Sequence, residues 1–357
     1  MKFSFASCLL PGLVVSLLGC SVHDFTVRKT DDMTPLLVSS GRRGFREYMF
    51  QYNSDSSAIY SYQVLDVKTN NWSSLPTLIR RYSLTNGLCG EWLLPVRISP
   101  LANVIFPFSN FRIAVVGDSF YIAQSKEDSE TNGVDLLKLP ISKKTCALAD
   151  IAELRVLPVD LVCQGLIRLD DSRMLLDLYD RIRERRRYAL FDCNEGRIIR
   201  ARDLFVVAVS PDRKSVAAIA EDGGGISLYD AELQEHRKIF FEDMPMYESY
   251  WHGPRLSWIN SNAVMVWNKK GSWWLFDVAT VKLLKKGTVS LGKNEYVNFA
   301  LGHNKFLIKE SGRGAFFQPR SYIVTIEQNG TVSRRRVENG LNPKMALTED
   351  CFYAEEF

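Results

Sequence analysis

The sequence is short of histidine. Its 4 histidines, His23, His236, His252 and His303, lie too far apart for zinc-ligand spacing. It lacks a Gly-x-Ser-x-Gly nucleophile motif. It also lacks the Lys-Ser/Thr pair that would make Asp222-Gly223-Gly224-Gly225 a phosphate loop, so those glycines read as a tight turn. Asp170-Asp171 has neither the spacing nor the glycine of a calcium loop and reads as a polar hairpin turn. There is no large excess of one charge: 45 Lys+Arg stand against 41 Asp+Glu, a net +4, which argues against a dedicated nucleic-acid binder. No long stretch carries a 3.6-residue period. We therefore expect no catalytic set, no metal and no cofactor. What is present is apolar material, 46% of 357 residues, enough for a large core and too much for a disordered chain.

Lys2 precedes an uncharged stretch from Phe3 to Gly19, and then comes Cys20. The apolar part, Cys8 to Leu18, is broken by Pro11-Gly12 and falls short of the ~20 apolar residues of a membrane helix. It reads as a secretory signal. The segment Leu17-Leu18-Gly19-Cys20 resembles the bacterial lipobox. That resemblance implies cleavage before Cys20, lipid on its thiol and acylation of the new amino group. An ordinary signal with an accidental cysteine, or an uncleaved anchor, is the competing reading. Ser21 stands where Asp would favour inner-membrane retention in such lipoproteins, which leans toward the outer membrane, periplasmic face. In an oxidising compartment disulfides are permitted. Cys163 with Cys193 is the preferred pair, with buried free thiols as the alternative.

From Ser21 to Gly44 the chain is polar and mixed and reads as a tether. Beyond it, short alternating segments punctuated by Gly, Asn, Asp and Pro give an all-β pattern. A weak repeat runs through them: Tyr188-Ala189-Leu190-Phe191-Asp192, Ile226-Ser227-Leu228-Tyr229-Asp230 and Trp273-Trp274-Leu275-Phe276-Asp277, with an earlier copy at Tyr62 to Asp66 and weaker ones at Val134 to Lys138 and Tyr322 to Ile326. Successive copies from Asp192 end 38, 47 and 49 residues apart, the spacing of propeller blades. One unit is written Asp160–Leu169, Arg173–Asp180, Tyr188–Cys193 and Arg197–Arg200; the next is Phe205–Ser210, Ser215–Ala220, Ile226–Asp230 and His236–Phe241. Two more span Arg255 to Ser290 and Tyr296 to Val337, and an N-terminal one spans Arg46 to Leu78. Tyr82 to Asn110 is unassigned. Tyr62–Pro76 resembles a kelch blade, and Ser210–Asp230 a WD-repeat or Tol-system blade, although the kelch double glycine and the WD Gly-His are missing. The expected fold class is all-β, a single β-propeller of six or seven four-stranded blades, its ring closed by pairing N- and C-terminal strands. The expected organisation is a signal peptide over 1–19, a lipidated Cys20 and tether over 20–45, and the propeller over 46–357.

Two features read as interaction candidates. Arg181 to Arg187 gathers Arg183, Arg185, Arg186 and Arg187 in a loop between strands, suited to an acidic partner, anionic lipid or polysaccharide, or else a solvated hairpin. Tyr250 and Trp251, with Tyr247 between Pro245 and Pro254, suit a partner-facing connection, or else pack between blades. The preferred function is a lipid-anchored, periplasm-facing scaffold, monomeric, holding an envelope protein and no nucleic acid. In plan it resembles the propeller lipoproteins of outer-membrane assembly machinery. The alternatives are a propeller hydrolase of glycosidase or lactonase type, with Asp160 and Arg255 toward its channel, and a protection or immunity factor binding one dedicated partner.

Overall fold

The computed structural model describes residues 25–30, 33–39, 47–53, 58–64, 77–83, 87–96, 98, 112–125, 134–142, 152–155, 161–180, 182–219, 225–240, 255–300, 304–310, 320–337, 341–346 and 352–356. All regular structure among them is β. Strands β1 (Phe25–Thr30) and β2 (Met33–Ser39) come first. Six four-stranded antiparallel sheets follow, each formed by four consecutive strands. The first holds β3 (Glu47–Asn53), β4 (Ala58–Val64), β5 (Thr77–Ser83) and β6 (Gly87–Leu94). The second holds β7 (Ile113–Val116), β8 (Ser119–Ser125), β9 (Val134–Pro140) and β10 (Ala152–Arg155). The third holds β11 (Leu161–Arg168), β12 (Arg173–Asp180), β13 (Arg185–Asp192) and β14 (Arg197–Arg202). The fourth holds β15 (Val206–Val209), β16 (Ser215–Ile219), β17 (Ile226–Asp230) and β18 (Glu235–Ile239). The fifth holds β19 (Arg255–Asn260), β20 (Ala263–Trp267), β21 (Ser272–Asp277) and β22 (Lys282–Thr288). The sixth holds β23 (Glu295–Ala300), β24 (Lys305–Glu310), β25 (Ser321–Ile326) and β26 (Val332–Arg336).

The sheets stack in chain order because successive side chains on a strand point to opposite faces. On β20 and β21, Val264, Val266 and Phe276 pack toward the fourth sheet, with Leu228 and Trp258. Their neighbours Ala263, Met265, Trp267, Trp273 and Leu275 pack toward the sixth, with Phe306 and Val324. Both faces of these strands are thereby covered, and β20 is buried at every position. Equivalent apolar layers join the first sheet to the second, the second to the third and the third to the fourth. Polar clasps repeat the same order. Trp92 Nε1–H donates to the Ile141 carbonyl at 2.7 Å, Tyr121 Oη–H to the Cys193 carbonyl at 3.2 Å, and Trp258 Nε1–H to the Ala208 carbonyl at 2.9 Å. The body is propeller-like in this sense: meanders laid face to face along the chain.

A further sheet joins the two ends of the chain. Its order is β1-β2-β28-β27, with β27 (Leu341–Ala346) and β28 (Phe352–Glu356). β2 and β28 run parallel, Leu36 opposite Phe352 and Ser39 opposite Glu355. The stretch read as a tether therefore contains two strands; its polar composition hid them, and pairing with β28 supplies the ladder that a tether would lack. Tyr82 to Leu94, unassigned from sequence, completes β5 and supplies β6, so the first sheet ends well beyond Leu78.

Candidate interaction sites

The third sheet carries the arginine run. β12 continues to Asp180, whose Oδ1 accepts the backbone N–H groups of Ile182 at 3.1 Å and Arg183 at 2.9 Å. Glu184 takes the left-handed conformation, φ 51°, and closes a hairpin tip. β13 then starts at Arg185, so only Arg183 of the four candidate arginines stands in the turn. The other three are strand residues with partners. Arg185 and Arg187 reach the same carboxylate, Asp203, at 3.0 and 3.3 Å. Arg186 is 8% exposed; its Nη2–H donates to Gln164 Oε1 at 2.9 Å, and its Nε lies 3.8 Å from Asp177 Oδ1. Burial pushes the fully buried Asp177 carboxyl up to about 6, against the pull of Arg186 and of a hydrogen bond from Tyr188. At the tip stands Ile182, 72% exposed.

The cysteine pairing is corrected. Cys163 and Cys193 are separate buried thiols. Cys163 lies opposite Leu178 on β12, whereas the Cys193 backbone N–H donates to the Ser172 carbonyl at the other end of that strand. Six positions on a strand span about 20 Å, beyond the roughly 7 Å Cα separation that a disulfide bridges. Burial pushes both thiols up to about 12. Cys20, Tyr250, Trp251 and Asp160 lie outside the described residues. Arg255 is buried at the start of β19, and burial, then the charge of Arg255, push the Lys269 amine down.

The aspartates of the repeat have structural work. Asp192 Oδ1 accepts the N–H groups of Asn194 and Glu195; Asp230 Oδ1 accepts those of Glu232 and Gln234; Asp277 Oδ1 accepts those of Thr280 and its hydroxyl. Each caps the turn into an outer strand. Asp170 does the same for Ser172, and although burial alone would raise its carboxyl, the hydrogen bonds from Arg173 and Ser172 hold it below the usual carboxylate range.

Sequence reasoning missed the outer strands as a set. β14, β18, β22 and β26 read RIIRAR, EHRKI, KLLKKGT and VSRRR, and Glu235 is the one carboxylate among them. Most of their residues are exposed, all five of β26 included. The signal lay in the cations that follow the turns after Asp192, Asp277 and Glu327; within a balanced total they went unremarked.

These features define the class: a body of stacked four-stranded antiparallel meanders whose ends share a sheet. No known protein family matches the sequence, and no curated protein matches it. Among solved structures the chain is similar to hydrazine synthase of Kuenenia stuttgartiensis, with a TM-score of 0.42 and 13% identity over 66% of this chain and 69% of that one. It is likewise similar to BamB from Moraxella catarrhalis, with a TM-score of 0.44 and 12% identity over 82% of this chain and 76% of that one.

Proposed function

We propose that this chain is a lipid-anchored β-propeller on the periplasmic face of the outer membrane that holds another envelope protein. In this reading the terminal sheet is the seventh blade and closes the ring, and Cys20 carries the lipid. The observation that carries partner binding is Ile182, 72% exposed on a hairpin pinned by Asp180. An apolar side chain displayed on a stiff support offers an anchor at little ordering cost. The lipobox-like Leu17-Leu18-Gly19-Cys20 supports the location.

The test is in-cell crosslinking, purification through a C-terminal tag and mass spectrometry, on wild type, Ile182→Asp and Cys20→Ala. The expected result is one stoichiometric envelope partner for wild type. Ile182→Asp should weaken its capture at least about tenfold, the range of an interface anchor, and Cys20→Ala should release the protein from the membrane. A membrane-bound wild type with no enriched partner would sink the scaffold reading.

A further inference from the structure

We propose that the outer edges of the fifth and sixth sheets, β22 and β26, together form a docking surface for an anionic phospholipid bilayer. The proposal rests on the reading that Cys20 anchors the chain at a membrane.

Charge sign comes first. Lys282, Lys285 and Lys286 on β22 and Arg334, Arg335 and Arg336 on β26 are accompanied by no carboxylate in either strand. Two neighbouring described acids are engaged: Asp277 caps the Thr280 turn and Glu295 holds Arg334 at 2.5 Å. Among the described residues, Glu327, at the turn before β26, is an exposed acid beside this surface. The two edges are tied into one surface. Lys285 Nζ donates to the Asn329 carbonyl at 2.7 Å, and Arg334 Nη1–H to the Ser290 carbonyl at 3.1 Å.

Edge strands are commonly charged to prevent pairing with other chains. That role is served without apolar side chains, yet Leu283, Leu284 and Val332 are 44%, 48% and 41% exposed among these cations. Cations mixed with exposed aliphatic residues match the headgroup and acyl boundary of an anionic bilayer. An acidic protein would answer the charge equally well, but the bilayer is close at hand. β1 begins at Phe25, five positions after Cys20, a leash of at most about 18 Å. A body so tethered turns part of its surface to the headgroups whatever its partner, and a cationic edge is drawn there within a Debye length of roughly 8 Å.

The test uses the chain from Ser21 onward, which keeps every described element and carries no acyl group. It is sedimented with vesicles of phosphatidylcholine alone or mixed with phosphatidylglycerol. Wild type is expected to bind the anionic vesicles, to ignore the neutral ones and to be released by salt. Lys282→Gln/Lys286→Gln/Arg335→Gln/Arg336→Gln is expected to bind at least about tenfold more weakly. Should that variant not fold, Arg335→Gln/Arg336→Gln, which changes two exposed side chains, is expected to lose part of the same binding. Absence of wild-type binding to anionic vesicles, or equal binding by the folded variants, overturns the proposal. The anchoring reading fails separately, if mass spectrometry of the protein from cells finds no acyl group on Cys20.

Discussion

Asp177 is a carboxylate in the wrong solvent. It sits fully buried between the third and fourth sheets, and the 3.8 Å to Arg186 is too long for a strong charge-assisted bond. Burial therefore wins and carries its pKa from 3.8 to about 6. The folded state then holds a proton that the unfolded chain has already released. The stability from this group is fully present below the unfolded value and is lost as pH rises through about 6. Asp177→Asn, which mimics the protonated acid, is expected to match wild type near pH ~4 and to exceed it above neutrality by on the order of 3 kcal/mol. Urea unfolding across that range is the measurement. An Asn variant less stable than wild type at neutral pH would mean that pairing with Arg186 outweighs burial. The composition of Arg185-Arg186-Arg187 could not disclose this arrangement, because alternation on a strand sends the middle arginine inward and its neighbours to Asp203.

Outer strands follow a common plan. In the third, fourth and fifth sheets the register slips by one residue where the last strand pairs, leaving Ile199, His236 and Leu284 as the extra residues. Such bulges twist an edge and spoil it as a template for other chains. The turns leading into these strands rest on the capping aspartates. Asp230→Ala would leave the Glu232 and Gln234 amides without their acceptor and is expected to cost about 1–2 kcal/mol in urea unfolding. A loss of partner capture with unchanged stability would instead give the repeat aspartate a functional role. Strand positions in the third and fourth sheets were legible to within a few residues, and the extents of the fifth and sixth sheets were too, because the aspartate turns punctuate them. The first sheet was legible only in part: the unit read over Arg46 to Leu78 stops inside β5, and β6 lies in the stretch left unassigned.

At the scale of the molecule, the order β1-β2-β28-β27 makes β28, among the described strands, the one that pairs across the chain's two ends. Removing residues 351–357 is expected to lower the thermal midpoint, to broaden the transition as in repeat arrays that lose a terminal neighbour, and to promote aggregation through the exposed edge of β2. Calorimetry with light scattering reads all three. An unchanged transition would show that the terminal sheet adds nothing to the cooperative unit.

Local signals in the chain determined the β class, the four-strand unit and most turns, because alternation, Asp-ended strands and glycine turns act over a few residues and need no distant partner. The lipobox-like segment is legible in the same way. Only the tertiary structure decided what depends on residues far apart in sequence. It placed Cys163 and Cys193 beside opposite ends of β12, drew β1 and β2 out of a polar stretch by pairing β2 with β28, buried Arg186 beside Asp177, and tied the cationic edges β22 and β26 together. Pairing and burial are properties of neighbours, and a single sequence names the residues without saying which of them will meet.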